Sequence, residues 1–187
     1  LLDAVKALRE RRPDLDFSLT LVGNRYAGGD YIAEAVESAC KTDSKIKWVG
    51  VIDDEALASV YAKSDLTVYA SEIEGFGMPI LESVWYGQPC LCHSSGVMAE
   101  LALGGGVATV DMTDTNAMSA KLEELIENPS LRRELAIQAI DRKLKTWDEY
   151  VEGVLSALVH WRCETTGEKM AEEHSLTVAD EAITSDW

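Results

Sequence analysis

Short apolar runs alternate with amphipathic segments along almost the whole chain, and this alternation restricts the fold more than any other feature. The apolar runs are FSLTLV (17–22), IKWV (46–49), LTVYA (66–70), CLC (90–92) and VATV (107–110). Around them, helical spacing covers residues 1–11, 30–41, 53–62, 78–85, 97–102, 115–126, 130–145 and 147–161. Asp53-Asp54 opens one of these helices; Pro79 sits in the first turn of the next, which Gly87-Gln88-Pro89 closes. Strand–helix alternation with short connections predicts an α/β fold with a Rossmann-like, doubly wound parallel sheet flanked by helices. The strands are continuously apolar, which suits a sheet covered on both faces. The chain has 187 residues, the size of one compact domain. Residues 1–161 are expected to form it. Residues 162–187 carry seven acidic and two basic side chains without sustained periodicity, and are expected to be a flexible tail.

Charge narrows the partners. Lys plus Arg is 17 and Asp plus Glu is 33, a formal net charge of −16. So acidic a protein repels a phosphate backbone, which argues against nucleic acid and against binding anionic membranes by charge. A local anion site built from backbone amides stays open. No run of about 20 apolar residues is present, so no transmembrane helix is expected. The start, LLDAVKALRERRP, has its basic residues after its apolar ones, the reverse of a secretory signal, and lacks an initiator Met; it reads as part of a longer chain. Cys40, Cys90, Cys92 and Cys163 have neither paired C-x-x-C spacing nor a cluster with His93, His160 or His174, so no metal site is expected. Cys90 and Cys92 should share one strand face as buried thiols in a reducing cytoplasm, with Leu91 on the other face.

The chemistry concentrates in the loop from strand LTVYA into the next helix, Ser71-Glu72-Ile73-Glu74-Gly75-Phe76-Gly77-Met78-Pro79-Ile80-Leu81-Glu82. In open parallel sheets ligands sit beyond the carboxyl ends of strands, where this loop lies. Gly75 and Gly77 allow close approach of a ligand, and the helix start offers free amides and a positive dipole end suited to a diphosphate. Glu74 before the helix and Glu82 inside it can flank one pocket. Carboxylates are poor phosphate ligands but good acceptors for sugar hydroxyls. Taken singly, a Gly-x-Gly pair or an acid near a helix start is as well explained by turn geometry and capping.

The full string E-G-F-G-M-P-I-L-E resembles the Glu, seven residues, Glu motif of family 4 (group 1) retaining glycosyltransferases of GT-B fold. TLVGN (20–24), KWVGVI (47–52), WYGQPCLC (85–92), Ser94-Ser95-Gly96 with Glu100, and VATVD with Asp114 resemble further segments of that family's C-terminal, donor-binding half. The resemblance implies hexose transfer with retention from a nucleoside-diphosphate sugar to a saccharide or lipid-linked acceptor, without a cofactor or divalent metal. It implies roles for particular residues. Glu74 touches the donor sugar beside the reacting centre. Gly75, Phe76 and Gly77 face sugar and phosphates, and Met78, Pro79 and Ile80 form the diphosphate-binding helix start. Glu82 binds ribose hydroxyls, Val51 and Ile52 line the nucleobase, and Gly23 and Asn24 sit near the donor.

The family's basic pair, an Arg and a Lys, and the strand bearing them would precede Leu1, as would the acceptor-binding N-terminal domain. Arg9, Arg11 and Arg12 read instead as helix-end charges. The fragment alone is therefore expected to be inactive. Its parent is expected in the cytoplasm or peripherally at the inner face of the membrane, as a mannosyl- or glucosyltransferase of bacterial surface polysaccharide such as lipopolysaccharide. A nucleotide-sugar epimerase of similar fold and a non-catalytic nucleotide-sugar-binding or interaction module are the alternatives. His93 reads as structural, and Trp48, Trp85, Trp147 and Trp161 as packing residues.

Overall fold

The computed structural model describes residues 1–26 and 28–166, with side chains through Arg162. The order of elements is α1 (Leu2–Arg11), β1 (Leu19–Val22), α2 (Asp30–Thr42), β2 (Ile46–Gly50), α3 (Asp54–Lys63), β3 (Thr67–Val68), α4 (Met78–Trp85), β4 (Cys90–His93), α5 (Gly96–Ala102), β5 (Val107–Val110), α6 (Thr115–Glu127), α7 (Pro129–Asp141) and α8 (Trp147–Thr166). Residues Leu1–Leu144 form one compact unit, and α8 belongs to a second that begins at Lys145. Residues 167–187, most of the expected tail, lie outside the described residues, and α8 runs on through the anticipated boundary at 161.

Every strand pair is parallel, as the alternation requires. β1 pairs with β2, Leu19 opposite Ile46 and Leu21 opposite Trp48. β4 lies between β3 and β5, Cys90 opposite both Thr67 and Val107. The strands thus form two hydrogen-bonded groups, β1-β2 and β3-β4-β5, rather than one uninterrupted ladder. A single apolar cluster nevertheless spans both. Ala4, Val5 and Leu8 of α1 pack with Ile46, Leu91 and Met112, with Met118, Leu122 and Leu125 of α6, and with flanking residues from β1, β3 and β5. The opposite cluster packs Ile80 and Val84 of α4, Met98 of α5 and Ala139 of α7 on Cys90, Cys92 and Val107. The β4 residues therefore divide as the period of two demands, the two thiols on one face and Leu91 on the other. Burial pushes the Cys90 thiol up to about 11 and the Cys92 thiol up to about 12, which keeps both protonated and inert.

Coverage of both faces holds for β4, whose four residues are all buried. It fails for the outer pair. Thr20 and Val22 of β1, and Lys47 and Val49 of β2, are exposed while their neighbours face inward. Apolar content alone hides this distinction, because Val tolerates the open face of a strand. Capping explains several boundaries. The Asp53 carboxylate accepts from the Ala56 amide, Asp114 from Asn116 and Ala117, and Asn128 from Leu131 with Pro129 in the first turn.

Candidate functional site

β3 is only Thr67–Val68, shorter than the apolar run 66–70, because the chain turns out into the loop. The Tyr69 amide still donates to the Leu91 carbonyl at 2.8 Å, so this residue leaves the sheet in a fixed position. From there Tyr69 Oη donates to Glu74 Oε1 at 2.5 Å and Ser71 Oγ donates to the same oxygen at 2.9 Å. These hydroxyls, Tyr69 first, hold the exposed Glu74 carboxyl below its usual range. The Tyr69 phenol is pushed up to about 12, by burial first and then by Glu74. Glu74 is not a helix cap: Gly77 takes the capping position before α4, without any side-chain cap hydrogen bond.

Gly77 has φ +87°, a left-handed conformation natural to glycine, and a Cβ there would press on Leu101 and Ile80. The turn leaves the amides of Gly75, Phe76, Gly77 and Met78 without a hydrogen-bond acceptor among the described residues. Phe76 and Met78 are exposed beside them. Pro79 follows and has no amide to give. Ile80 is placed differently from its neighbours. Its side chain is fully buried in the core under α4, and its amide donates to the Gly77 carbonyl.

One turn further, Glu82 Oε2 accepts from Tyr61 Oη of α3 at 3.1 Å, and the Tyr61 ring stacks on Tyr86 with centroids 4.9 Å apart. Burial, then the Glu82 charge, raises the Tyr61 phenol. Gly23 and Asn24 follow β1 directly. The Gly23 amide donates to the Gly50 carbonyl at 2.9 Å, and its own carbonyl accepts from Trp48 Nε1 at 2.8 Å. Trp48 thus fixes a loop end as well as filling space. Val51 and Ile52 continue directly from Gly50, Val51 exposed and Ile52 half-buried, and lead into α3. The structure therefore joins Gly23, Asn24, Val51 and Ile52 around one strand pair and Glu74 to Glu82 around one helix start. α3, with Tyr61, connects the two.

Other residues are committed elsewhere. His93 lies buried in β4; its Nδ1 accepts from the Met112 amide at 3.0 Å, which places the neutral ring's proton on Nε2. Arg11 and Arg12 are paired with Glu123, Glu127 and Asp14, and Arg9 with Asp43. Trp85 is not a packing residue: it is 71% exposed on the last turn of α4. It lines a cavity of about 510 Å³ with Gln88, Ile140 and Arg142. That cavity sits at the far end of α4 from Glu74 and has no carboxylate in its lining, so it does not match the expected donor. A smaller one of about 190 Å³ is lined by Gly23, Asn24 and Trp48. Among the described residues no cluster of His, Cys, Asp and Glu could hold a metal ion, and no helix is long and apolar enough to cross a membrane.

Residues 1–142 match the family described as "Glycosyl transferases group 1". The chain belongs to this family. As a group 1 glycosyltransferase domain it is 32% identical over 116 residues to O-antigen chain mannosyltransferase B of Escherichia coli, which is 62% of this chain and 30% of that protein. The chain thus spans about a third of that relative. Among solved structures, Anabaena HepE in complex with UDP and glucose superposes with TM-score 0.62 at 18% identity, over 89% of this chain and 44% of that one. The C-terminal domain of the glycosyl transferase group 1 family protein LpcC from Francisella tularensis does so with TM-score 0.62 at 24% identity, over 75% of this chain and 73% of that domain. The Rossmann-like α/β fold of GT-B glycosyltransferases is common to them.

Proposed function

We propose that this group 1 domain is the donor-binding, C-terminal half of a family 4 glycosyltransferase that transfers a hexose, with retention, from a nucleoside-diphosphate sugar. The observation that carries the reading is the helix start at Gly77. Unused amides from Gly75 to Met78 lie between an ionised Glu74 and a Glu82 set one turn inside α4. The amides and the dipole of α4 receive the diphosphate and stabilise it as a leaving group, with no divalent metal in the scheme. Glu82 takes the ribose hydroxyls and Glu74 the hexose. Val51, Ile52, Gly23 and Asn24 border the nucleoside.

The superposition on a C-terminal domain supports the assignment to that half, and the UDP and glucose of HepE support a nucleotide and a sugar as ligands. The separation of β1-β2 from β3-β4-β5 supports one further parallel strand between them, from residues before α1. The E. coli relative supports a mannosyl donor and a role in surface polysaccharide, with a saccharide or lipid-linked acceptor held by a second domain. The parent then works in the cytoplasm, at or near the membrane face. Calorimetric titration of the chain with nucleoside diphosphates and their sugars is expected to show one nucleotide series binding saturably. Failure of every nucleotide in the panel to bind would remove this reading.

A further inference from the structure

Glu74 is an exposed loop carboxylate that has neither a cationic partner nor a helix amide among the described residues. Both of its hydrogen bonds come from neutral hydroxyls, and both go to one oxygen, Oε1. The donors are held differently: Tyr69 by the core, Ser71 within the loop, where its hydroxyl also lies 3.3 Å from the Ile73 carbonyl. Tyr69 packs its ring against the core cluster beneath α4 and α5 and is held to β4 by its amide. Ser71 follows two residues later, on the loop itself. A carboxylate free to rotate would share its solvent contacts between two equivalent oxygens. Here one oxygen is occupied and the other, Oε2, accepts nothing from the described residues.

We propose that Tyr69 and Ser71 are positioning residues: together they clamp Oε1 of Glu74, so that the carboxylate presents Oε2 alone to the hexose of the donor. The proposal rests on the donor-binding reading above and adds the residues that orient its acid. Neutral donors suit this task. A lysine or arginine in their place would neutralise the charge that a sugar hydroxyl, and positive charge developing at the sugar, would otherwise meet.

The test uses the whole chain with Tyr69→Phe, Ser71→Ala and Ser71→Thr, each of which keeps the local volume nearly unchanged. The first readout needs no ligand. Carboxyl-carbon NMR, with the Glu74 signal identified by its loss in Glu74→Gln, follows the titration of that group. Tyr69→Phe and Ser71→Ala should each raise the Glu74 midpoint, and Ser71→Thr should restore it. The second readout is calorimetry. Tyr69→Phe should weaken the nucleotide sugar about tenfold, the scale of one hydrogen bond to a charged group, and leave the sugar-free nucleoside diphosphate within about twofold. An unmoved midpoint overturns the clamp, and so does equal weakening of both ligands, which is what loop disorder would produce. If the unaltered chain binds no nucleotide sugar, the donor-binding reading fails, and the clamp is still decided by the midpoint.

Discussion

Glu74 and Glu82 stand on one short stretch of chain but meet different neighbours, so their replacement should have different consequences. A ribose diol offers two donors to one carboxylate, and a hydrogen bond to a charged group contributes about 1.5–3 kcal/mol. Glu82→Ala should therefore weaken a nucleoside diphosphate and its sugar alike, by roughly tenfold or more. Glu74→Gln should spare the nucleoside diphosphate, which has no hexose, and weaken only the nucleotide sugar. The reverse pattern in calorimetry would exchange the two roles. A pH series gives a second expectation. The hydroxyls of Tyr69 and Ser71 depress the Glu74 pKa below its ordinary 4.5. A depressed group keeps its charge above the ordinary value and loses it only as pH falls through the lower, folded one. The sugar-dependent share of the affinity should thus stay level from about pH 7 to about pH 4.5 and decline below that; a decline beginning near pH 6 would assign it to another group. Both acids were singled out in the sequence by the resemblance of the whole string E-G-F-G-M-P-I-L-E to a family motif, not by their spacing alone. The hydroxyls that orient them were not. Tyr61 reaches Glu82 across 21 residues, from a different helix, and no local pattern announces such a bond.

At the scale of elements, the loop's two glycines look interchangeable in the sequence and differ in the structure. Gly77 has φ +87° and little room for a methyl group: a Cβ at this position would lie 3.2 Å from Leu101 Cδ1 and 3.3 Å from Ile80 Cδ1. Gly75 has nothing within 4 Å and no positive φ. Gly77→Ala should cost about 1–2 kcal/mol of stability from the left-handed conformation, a drop of several degrees in Tm. Gly75→Ala should melt within about 1 °C of the unaltered chain, as an exposed substitution without strain does. Equal melting of the two variants would contradict the turn described for the start of α4. Element types were legible throughout because the periods of 2 and 3.6 are local signals. Ends were legible where a side chain caps, as at Asp53 and Asp114. They were misplaced where a distant contact decides. Helical spacing continues to residue 145, yet α7 stops at Asp141, and Arg142 turns away to donate to the Gly105 carbonyl at 3.1 Å.

For the whole molecule, the alternation of apolar and amphipathic segments disclosed the parallel α/β architecture, because parallel strands need a crossover between them and the crossovers are short helices. It did not disclose that the outer strand pair is open on one face, or that the strands divide into two hydrogen-bonded groups, since both follow from which elements meet across the sheet. The same view bears on activity. The proposed groups that meet the donor lie on loops and on the first turns of α4 in the unit Leu1–Leu144, where the amides of Gly75 to Met78 are open for a diphosphate. The arginines of its first two helix–strand units are already engaged: Arg25, in the loop after β1, is paired with Glu37 at 2.6 Å, and Arg9, Arg11 and Arg12 are paired at the other end of α1. Cleaving the bond between hexose and diphosphate leaves extra negative charge on the leaving group. Amides alone stabilise it less than amides with a cationic clamp, and removal of a charge-stabilising donor typically costs a factor of about 10²–10³ in rate. In the proposed division of labour a second domain orients the acceptor, so the unit by itself forfeits the advantage of proximity as well. The chain of 187 residues is therefore expected to bind a nucleotide sugar and not to turn it over. Incubation with a bound nucleotide sugar and a range of saccharide acceptors, followed by mass spectrometry, should show no transfer beyond one equivalent of protein. Sustained transfer by this polypeptide alone would mean that acceptor and leaving group are both served from within these residues, and the division of labour between two domains would have to be abandoned.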